Sequence, residues 1–261
     1  MENPRKYGKA PYSIAVIHGG PGAPGEMAPV ARAIRSQWSV LEPFQTADTL
    51  EGQVEEHIAI LEKHADLPVT LIGYSWGAWL SFIVAARFPS LLKRLILVSS
   101  GPFEEGYAHD IMNTRLDRLG NEEKKEVISF IESFNDAGSA ETNKRMKRFG
   151  LLISKADAYD PMPHDDEVLE TQFDIFQRVW REAEQLRNSG RLLEIAAEIQ
   201  CPVIAIHGDH DPHPAEGVRK PLSHVLEDFR FVLLKNCGHT PWFERQAKDE
   251  FFRILREELG R

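Results

Sequence analysis

Two kinds of hydrophobic pattern take turns along the chain. Residues 13–18 (SIAVIH), 39–44 (SVLEPF), 69–74 (VTLIGY) and 94–99 (RLILVS) are short apolar, β-rich runs bounded by turn residues, and they read as buried strands. Between them, residues 26–37, 50–65 and 76–88 carry apolar side chains at helical spacing. In the second of these, Leu50, Val54, Ile58 and Leu61 mark one face, with charges between; the third is apolar on most sides until Pro89 halts it. Continuously apolar strands alternating with helices predict a parallel sheet covered on both faces.

The rhythm breaks after residue 101. From 102 to 190 the pattern is helical and charged, punctuated by Gly101-Pro102, Asn135-Asp136-Ala137-Gly138 and Asp160-Pro161-Met162-Pro163. It resumes with strands at 202–207 (PVIAIH) and 229–234 (FRFVLL) and helices near 214–227 and 242–259. The pattern therefore predicts an α/β core made of 1–101 and 191–261, with 102–190 inserted between two parallel strands as a helical cap. About a dozen residues precede the first strand, holding Pro4, Gly8 and Pro11 with little alternation. That is too short for an antiparallel hairpin. The expected sheet therefore has about six strands, with 39–44 at an exposed edge.

Composition removes several function classes. The 261 residues suit one domain carrying a large insertion. A formal net charge of -9 with no dense Lys/Arg cluster gives no general attraction for nucleic acid or anionic lipid. The short basic run from Lys144 to Arg148 reads as the solvated face of a helix. Cys201 and Cys237 are the two cysteines, and they lie at opposite ends of neighbouring strands, too far apart to bridge. Two free thiols fit a reducing compartment. The N-terminus has no apolar signal segment, and no apolar run approaches the roughly 20 residues of a membrane span. The expectation is a cytoplasmic protein with no membrane partner. Homodimerisation through the 39–44 edge or the cap is left open.

The candidate chemistry lies where strands end. Gly73-Tyr74-Ser75-Trp76-Gly77 joins a buried strand to a helix. A sharp turn there holds a serine in strained geometry, and the flanking glycines remove side chains that would collide. A serine hydroxyl is a poor nucleophile until a base, an orienter for the base and oxyanion donors are supplied. The donors are sought in His18-Gly19-Gly20-Pro21-Gly22, as the backbone N–H groups of Gly20 and of Trp76. The base is sought at His239 in Asn236-Cys237-Gly238-His239-Thr240, just after the last strand. The acid lies in His207-Gly208-Asp209-His210-Asp211-Pro212, where Asp209 and Asp211 compete. His57, His64, His109, His164 and His224 fall on helices or in the cap and read as surface residues. The cluster of His207, His210, Asp211 and His213 lacks the helical spacing of a two-histidine metal motif, so no metal or other cofactor is expected.

Serine, then aspartate, then histidine, each at the end of a successive strand, resembles the α/β-hydrolase superfamily, and the resemblance runs through nearly the whole chain. It implies an α/β-hydrolase fold and an acid three residues after the glycine that ends its strand, which selects Asp211. It also implies a cis bond before the loop proline, at Gly20–Pro21. The HGGPG loop with a GxSWG elbow resembles the proline iminopeptidases, which remove an N-terminal residue, often proline, from short peptides. Trp180-Arg181-Glu182 is similar to part of their cap motif. The expected activity is that of a serine hydrolase cleaving an ester or amide bond of a small-molecule or short-peptide substrate through an acyl-enzyme. An iminopeptidase-like aminopeptidase, a carbon–carbon bond hydrolase and a non-catalytic ligand-binding member of the fold are the alternatives. Cap aromatics Phe103, Tyr107, Tyr159, Phe173, Phe176 and Trp180, with Trp76 and Trp242 from the core, are the candidates for an apolar substrate pocket.

Overall fold

The computed structural model describes residues 2–132, 140–165 and 167–261. The Asn135–Gly138 break lies outside them. Seven strands, β1 (Arg5–Tyr7), β2 (Ile14–Ile17), β3 (Val40–Glu42), β4 (Val69–Tyr74), β5 (Leu92–Val98), β6 (Val203–Gly208) and β7 (Phe229–Leu234), form one sheet in the order β1-β3-β2-β4-β5-β6-β7. β1 runs antiparallel to β3, and every other neighbouring pair is parallel. The central strands β2, β4 and β6 are buried on both faces because each face is covered. Ala15, Ile17, Leu71, Leu95, Leu97 and Ala205 point to one side, against α2 (Leu50–His64) and α3 (Trp76–Arg87). Ile14, Val16, Ile72, Ile96, Val98 and Ile206 point to the other, against α1 (Ala28–Ile34) and α10 (Lys248–Leu259). The period of two along each strand thus feeds two cores.

The sheet has one strand more than the expected six, and 39–44 is not its edge. β1 lies outside it, with Arg5, Lys6 and Tyr7 opposite Glu42, Leu41 and Val40. No hairpin is involved, since β1 and β2 flank β3 on opposite sides. What holds β1 is polar. The buried Glu42 carboxylate accepts from Arg5 Nε at 2.8 Å and from Tyr7 Oη at 2.7 Å. Three residues fixed by a carboxylate on the neighbouring strand leave no hydrophobic alternation to read.

α3 is the central helix, with every residue from Trp76 to Ala86 buried. Truncating a ring such as Phe82 to alanine there would cost about 3–5 kcal/mol. Between β5 and β6 the chain forms α4 (Ile111–Asp117), α5 (Asn121–Glu132), α6 (Ala140–Asp157) and α7 (Phe173–Asn188). These helices build their own small core from Leu119, Val127, Leu152 and Ala156, while α7 turns Val179 and Ala183 down into the main core. A short α8 (Arg191–Glu194) leads back to β6, and α9 (Glu216–Val225) precedes β7. Both cysteines are free. Cis bonds occur at Asn3–Pro4, Ala10–Pro11 and Leu67–Pro68, and Gly20–Pro21 is trans. The turn assigned to a cis bond in that loop is made instead by Gly20 at φ +25°. Among the described residues no helix is long and apolar enough to cross a membrane.

Candidate active site

Ser75 sits between β4 and α3 with φ 53° and ψ -116°. A non-glycine residue in such a conformation costs of order 1–3 kcal/mol and persists only where its surroundings dictate it. Here they do. Its N–H donates to Val98 O at 3.0 Å, and the two motif glycines allow the backbones to close in. A Cβ on Gly73 would lie 2.3 Å from Gly77 O, and one on Gly77 would lie 2.4 Å from the carbonyl oxygens of both Ile17 and His18. α3 begins at the next residue, so the positive end of its dipole faces the serine.

The loops after β6 and β7 bring two more side chains to the same edge. His239 Nε2 is 3.0 Å from Ser75 Oγ, and His239 Nδ1 is 2.7 Å from Asp211 Oδ2. The ionised carboxylate only accepts, so Nδ1 carries the proton and Nε2 accepts from the serine hydroxyl. Asp211 and His239 are both buried. Burial alone pulls the His239 pKa down, but the charge and hydrogen bond of Asp211 outweigh it and hold it above the ordinary value. Burial pushes Asp211 up, and the facing His239, His213 and His207 more than reverse this, holding it well below the usual carboxylate range. Asp209 points elsewhere. It is exposed, accepts the Cys237 N–H at 3.3 Å and faces Lys235 at 3.5 Å.

Sequence reasoning missed the residues that support this trio. His213 Nδ1 lies 2.8 Å from Asp211 Oδ1, which also accepts the His213 backbone N–H at 2.9 Å. His207 Nε2 donates to His213 O at 2.8 Å and is 3.5 Å from Asp211 Oδ2. Burial pulls both imidazoles down, His213 to about 4, so both are neutral near pH 7. From α4, Arg115 holds Asp157 through two hydrogen bonds of 2.7 Å and brings its Nη2 to 3.5 Å from His213 Nε2. The main-chain carbonyl of Asp157 accepts the His239 N–H at 2.9 Å. Glu244 lies beneath. Its buried carboxylate accepts the N–H groups of Gly238 (2.9 Å), Tyr159 (2.8 Å) and Asp160 (2.8 Å). The loop bearing His239 is therefore tied to the chain leaving α6. The clustering of His207, Asp211 and His213 in the sequence was the available signal.

Asp211, His213 and His239 also offer ligand atoms within 4.8 Å of one another. Both imidazole Nδ1 atoms face the carboxylate at hydrogen-bond distance, so an ion there would have to displace both protons. The donor set fits a hydrogen-bonded carboxylate rather than a metal.

The backbone N–H groups of Gly20 and Trp76 donate to no acceptor among the described residues. The predicted aromatics divide. Trp76 is buried, with its Nε1–H shared between Gln45 Oε1 (2.9 Å) and Gln53 Oε1 (3.1 Å). Phe103 is fully buried against Trp79 and Phe82, and Trp242 packs edge-on against Tyr74 at 4.7 Å. The side chains of all three are core. Trp180 is half-buried, stacked between Trp79 (6.0 Å) and Phe176 (6.2 Å). Phe173 joins Phe130 and Met146, Tyr107 is half-buried and Tyr159 is exposed. His57 is buried, against expectation, because it shares the α2 face that carries Val54 and Leu61, and its Nδ1–H donates to Gln53 O at 2.8 Å.

The model of the alpha/beta hydrolase family matches residues 17–254. The chain belongs to the alpha/beta hydrolase family. Among relatives, this alpha/beta hydrolase is 22% identical over 209 residues to the pimeloyl-[acyl-carrier protein] methyl ester esterase of Chromobacterium violaceum, covering 77% of this chain and 73% of the esterase. It is 28% identical over 107 residues to ethanol acetyltransferase 1 of Cyberlindnera fabianii, covering 41% of this chain and about a quarter (27%) of that relative. The crystal structure of VinJ superposes with a TM-score of 0.67 at 18% identity, covering 98% of this chain and 94% of VinJ. The proline iminopeptidase of Mycobacterium smegmatis superposes with a TM-score of 0.64 at 16% identity, covering 98% and 93%. At these identities the structural likeness is one of fold.

Proposed function

We propose that this alpha/beta hydrolase is a serine hydrolase that cleaves an ester bond of a small substrate through an acyl-enzyme. The observation that carries the reading is the unbroken chain Ser75 Oγ, His239 Nε2, His239 Nδ1, Asp211 Oδ2, with links of 3.0 and 2.7 Å. Ser75 attacks the carbonyl carbon while His239 takes its proton, and Asp211 orients the imidazole and stabilises its charged form. The N–H groups of Gly20 and Trp76 hold the oxyanion. His239 returns the proton to the leaving alcohol. Water then attacks the acyl-enzyme with His239 again as base. Residues 102–190 act as the cap that closes the site, and the half-buried Trp180 and Phe176 contribute its apolar wall. No cofactor enters any step.

An ester is favoured over a peptide by the state of Asp157. Asp157, the carboxylate whose main-chain carbonyl sits on His239, has both oxygens held by Arg115 and is not free to receive a substrate amine. The methyl ester esterase among the relatives is in keeping with the same choice. The test is labelling by a fluorophosphonate probe, followed by turnover of a panel of short acyl esters and aminoacyl arylamides. Wild type is expected to label and Ser75→Ala to stay unlabelled, with esters turned over faster than Pro-arylamide. Equal labelling of the two proteins would sink the assignment, and faster Pro-arylamide cleavage would turn it into an aminopeptidase.

A further inference from the structure

The two amides assigned to the oxyanion come from different parts of the chain, and one buried side chain joins them. Gly20 lies in the loop after β2, and Trp76 begins α3. Between them sits Gln45, with no exposed surface, three residues past β3. Its side-chain Nε2–H donates to His18 O at 2.8 Å, and its Oε1 accepts the Trp76 indole N–H at 2.9 Å. Its backbone N–H donates to His18 Nε2 at 3.2 Å. One glutamine therefore uses both ends of its amide and its main chain on the two segments.

The contact with His18 sets where the Gly20 N–H points. With Nε2 accepting from the Gln45 backbone N–H, the proton of the neutral ring is on Nδ1, and Nδ1–H donates to Gly19 O at 2.8 Å, while the Gln45 side chain fixes the main chain that carries the ring through His18 O. The Gly19 carbonyl and the Gly20 N–H belong to the same planar trans peptide, so they point in opposite directions. Fixing the carbonyl against the His18 ring aims the N–H the other way. A hydrogen bond at the oxygen of a peptide also strengthens donation by its N–H. Burial pulls the His18 pKa down to about 3, so the ring stays neutral throughout the working range.

We propose that Gln45 is a positioning residue that holds the Gly20 and Trp76 amides in one constellation for the oxyanion, acting through His18 on one side and the Trp76 indole on the other. The inference rests on the serine hydrolase reading and adds a residue that never meets the substrate. The second acceptor of the indole lies outside this linkage. Gln53 shares the Trp76 N–H at 3.1 Å, but its other contacts, to Ala47 and His57, lead away from His18.

The test compares Gln45→Met, which keeps the shape and removes both side-chain hydrogen bonds, with Gln53→Met, which removes only the second indole acceptor and the Ala47 contact. The readouts are kcat and KM for p-nitrophenyl acetate and the rate of fluorophosphonate labelling. Removing an oxyanion donor outright costs about 100- to 1,000-fold, so misaiming one is expected to lower kcat about 10- to 100-fold. KM should stay within about two-fold and labelling should slow in parallel, because the stabilisation is confined to the transition state. Gln53→Met should lose less than about three-fold. If Gln45→Met fails to fold, Trp76→Phe releases the same Gln45 oxygen together with that of Gln53, and, measured against Gln53→Met, should lower kcat further with KM unchanged. A Gln45→Met kcat within two-fold of wild type, an equal loss in Gln53→Met, or a Trp76→Phe no slower than Gln53→Met where that variant must decide, overturns the proposal. A wild-type protein that neither labels nor turns over the ester refutes the hydrolase reading itself, a separate result.

Discussion

His213 occupies the side of Asp211 that His239 leaves free: its Nδ1 lies 2.8 Å from Oδ1, while His239 Nδ1 lies 2.7 Å from Oδ2. One carboxylate thus serves two imidazoles. Around His213 the facing charged and titratable groups are Asp211, His239 and Arg115.

This sharing sets the pH at which the base works. In the proposed mechanism His239 acts only when neutral, so activity is expected to fall as pH drops through its pKa, which stands above 6.5. The acid limb of the labelling rate should therefore have its midpoint above 6.5. Replacing His213 by leucine removes one donor from Asp211, leaves the carboxylate more basic and tightens its hold on the His239 proton. The midpoint should then move up by about one pH unit. An unmoved midpoint in His213→Leu would show that the two imidazoles are not coupled through the carboxylate.

The two neighbouring acids should behave differently. Asp211→Asn loses the charge that stabilises the imidazolium and presents an amide that favours the wrong tautomer, a change worth about 10,000-fold in kcat. Asp209→Asn alters an exposed side chain between Cys237 N and Lys235 and should stay within about three-fold of wild type. Steady-state ester hydrolysis by the two variants decides it. A larger loss from Asp209→Asn would move the acid.

Acid should unfold the protein through its neutral histidines. His18 and His213 are pulled by burial from 6.5 to about 3 and about 4, and His57 and His207 are lowered as well. Their folded pKa values are depressed, so the unfolded chain binds more protons below about 6.5. Their stabilising contribution is complete above that pH and is lost progressively between about 6.5 and 3. For His18 alone the loss between pH 8 and pH 5 is about 2 kcal/mol. Melting curves should show Tm falling steadily below pH 6.5. A Tm flat from pH 7 to 5 would contradict the buried neutral assignments.

Glu244 should be a stability hot spot beside the site. Its carboxylate accepts three buried or part-buried N–H groups, and Glu244→Ala leaves them without partners. The expected loss is about 3 kcal/mol or more, a Tm lowered by about 6–12 °C in a chain of this size. Labelling of Ser75 should slow as well, since Gly238 precedes the base. Thermal unfolding and probe kinetics on the one variant test both effects.

The strands of the core were legible because their apolar runs are short, continuous and bounded by turn residues: β4 and β7 fall where the pattern puts them, at 69–74 and 229–234. Ser75, Asp211 and His239 were legible for a related reason. Each follows a readable strand, so all had to emerge on the same edge of the sheet. β1 was not, because Arg5, Lys6 and Tyr7 are held by the Glu42 carboxylate, and such a contact leaves no periodic trace. Burial of Trp76, Phe103 and Trp242 was hidden for the opposite reason. An aromatic near a strand end looks the same in sequence whether it lines a cavity or fills one, and here Gln45, Phe82 and Tyr74 fill the space around them. Arg115 and Glu244 act through polar contacts to Asp157 and to Tyr159 and Asp160, segments far off in sequence, which no local pattern encodes, whereas His213 stands two residues from the carboxylate it serves.

The carbonyl of Asp157 on the His239 N–H has a consequence for how this scaffold can change over generations. Helices joined to a sheet only through loops would be free to diverge while the sheet stays fixed. Here the last residue of α6 is a structural part of the base's own loop. A graft that exchanged 102–190 wholesale would remove the carbonyl that holds the His239 N–H. Change at the end of α6 and change in the loop that carries His239 are therefore bound to each other.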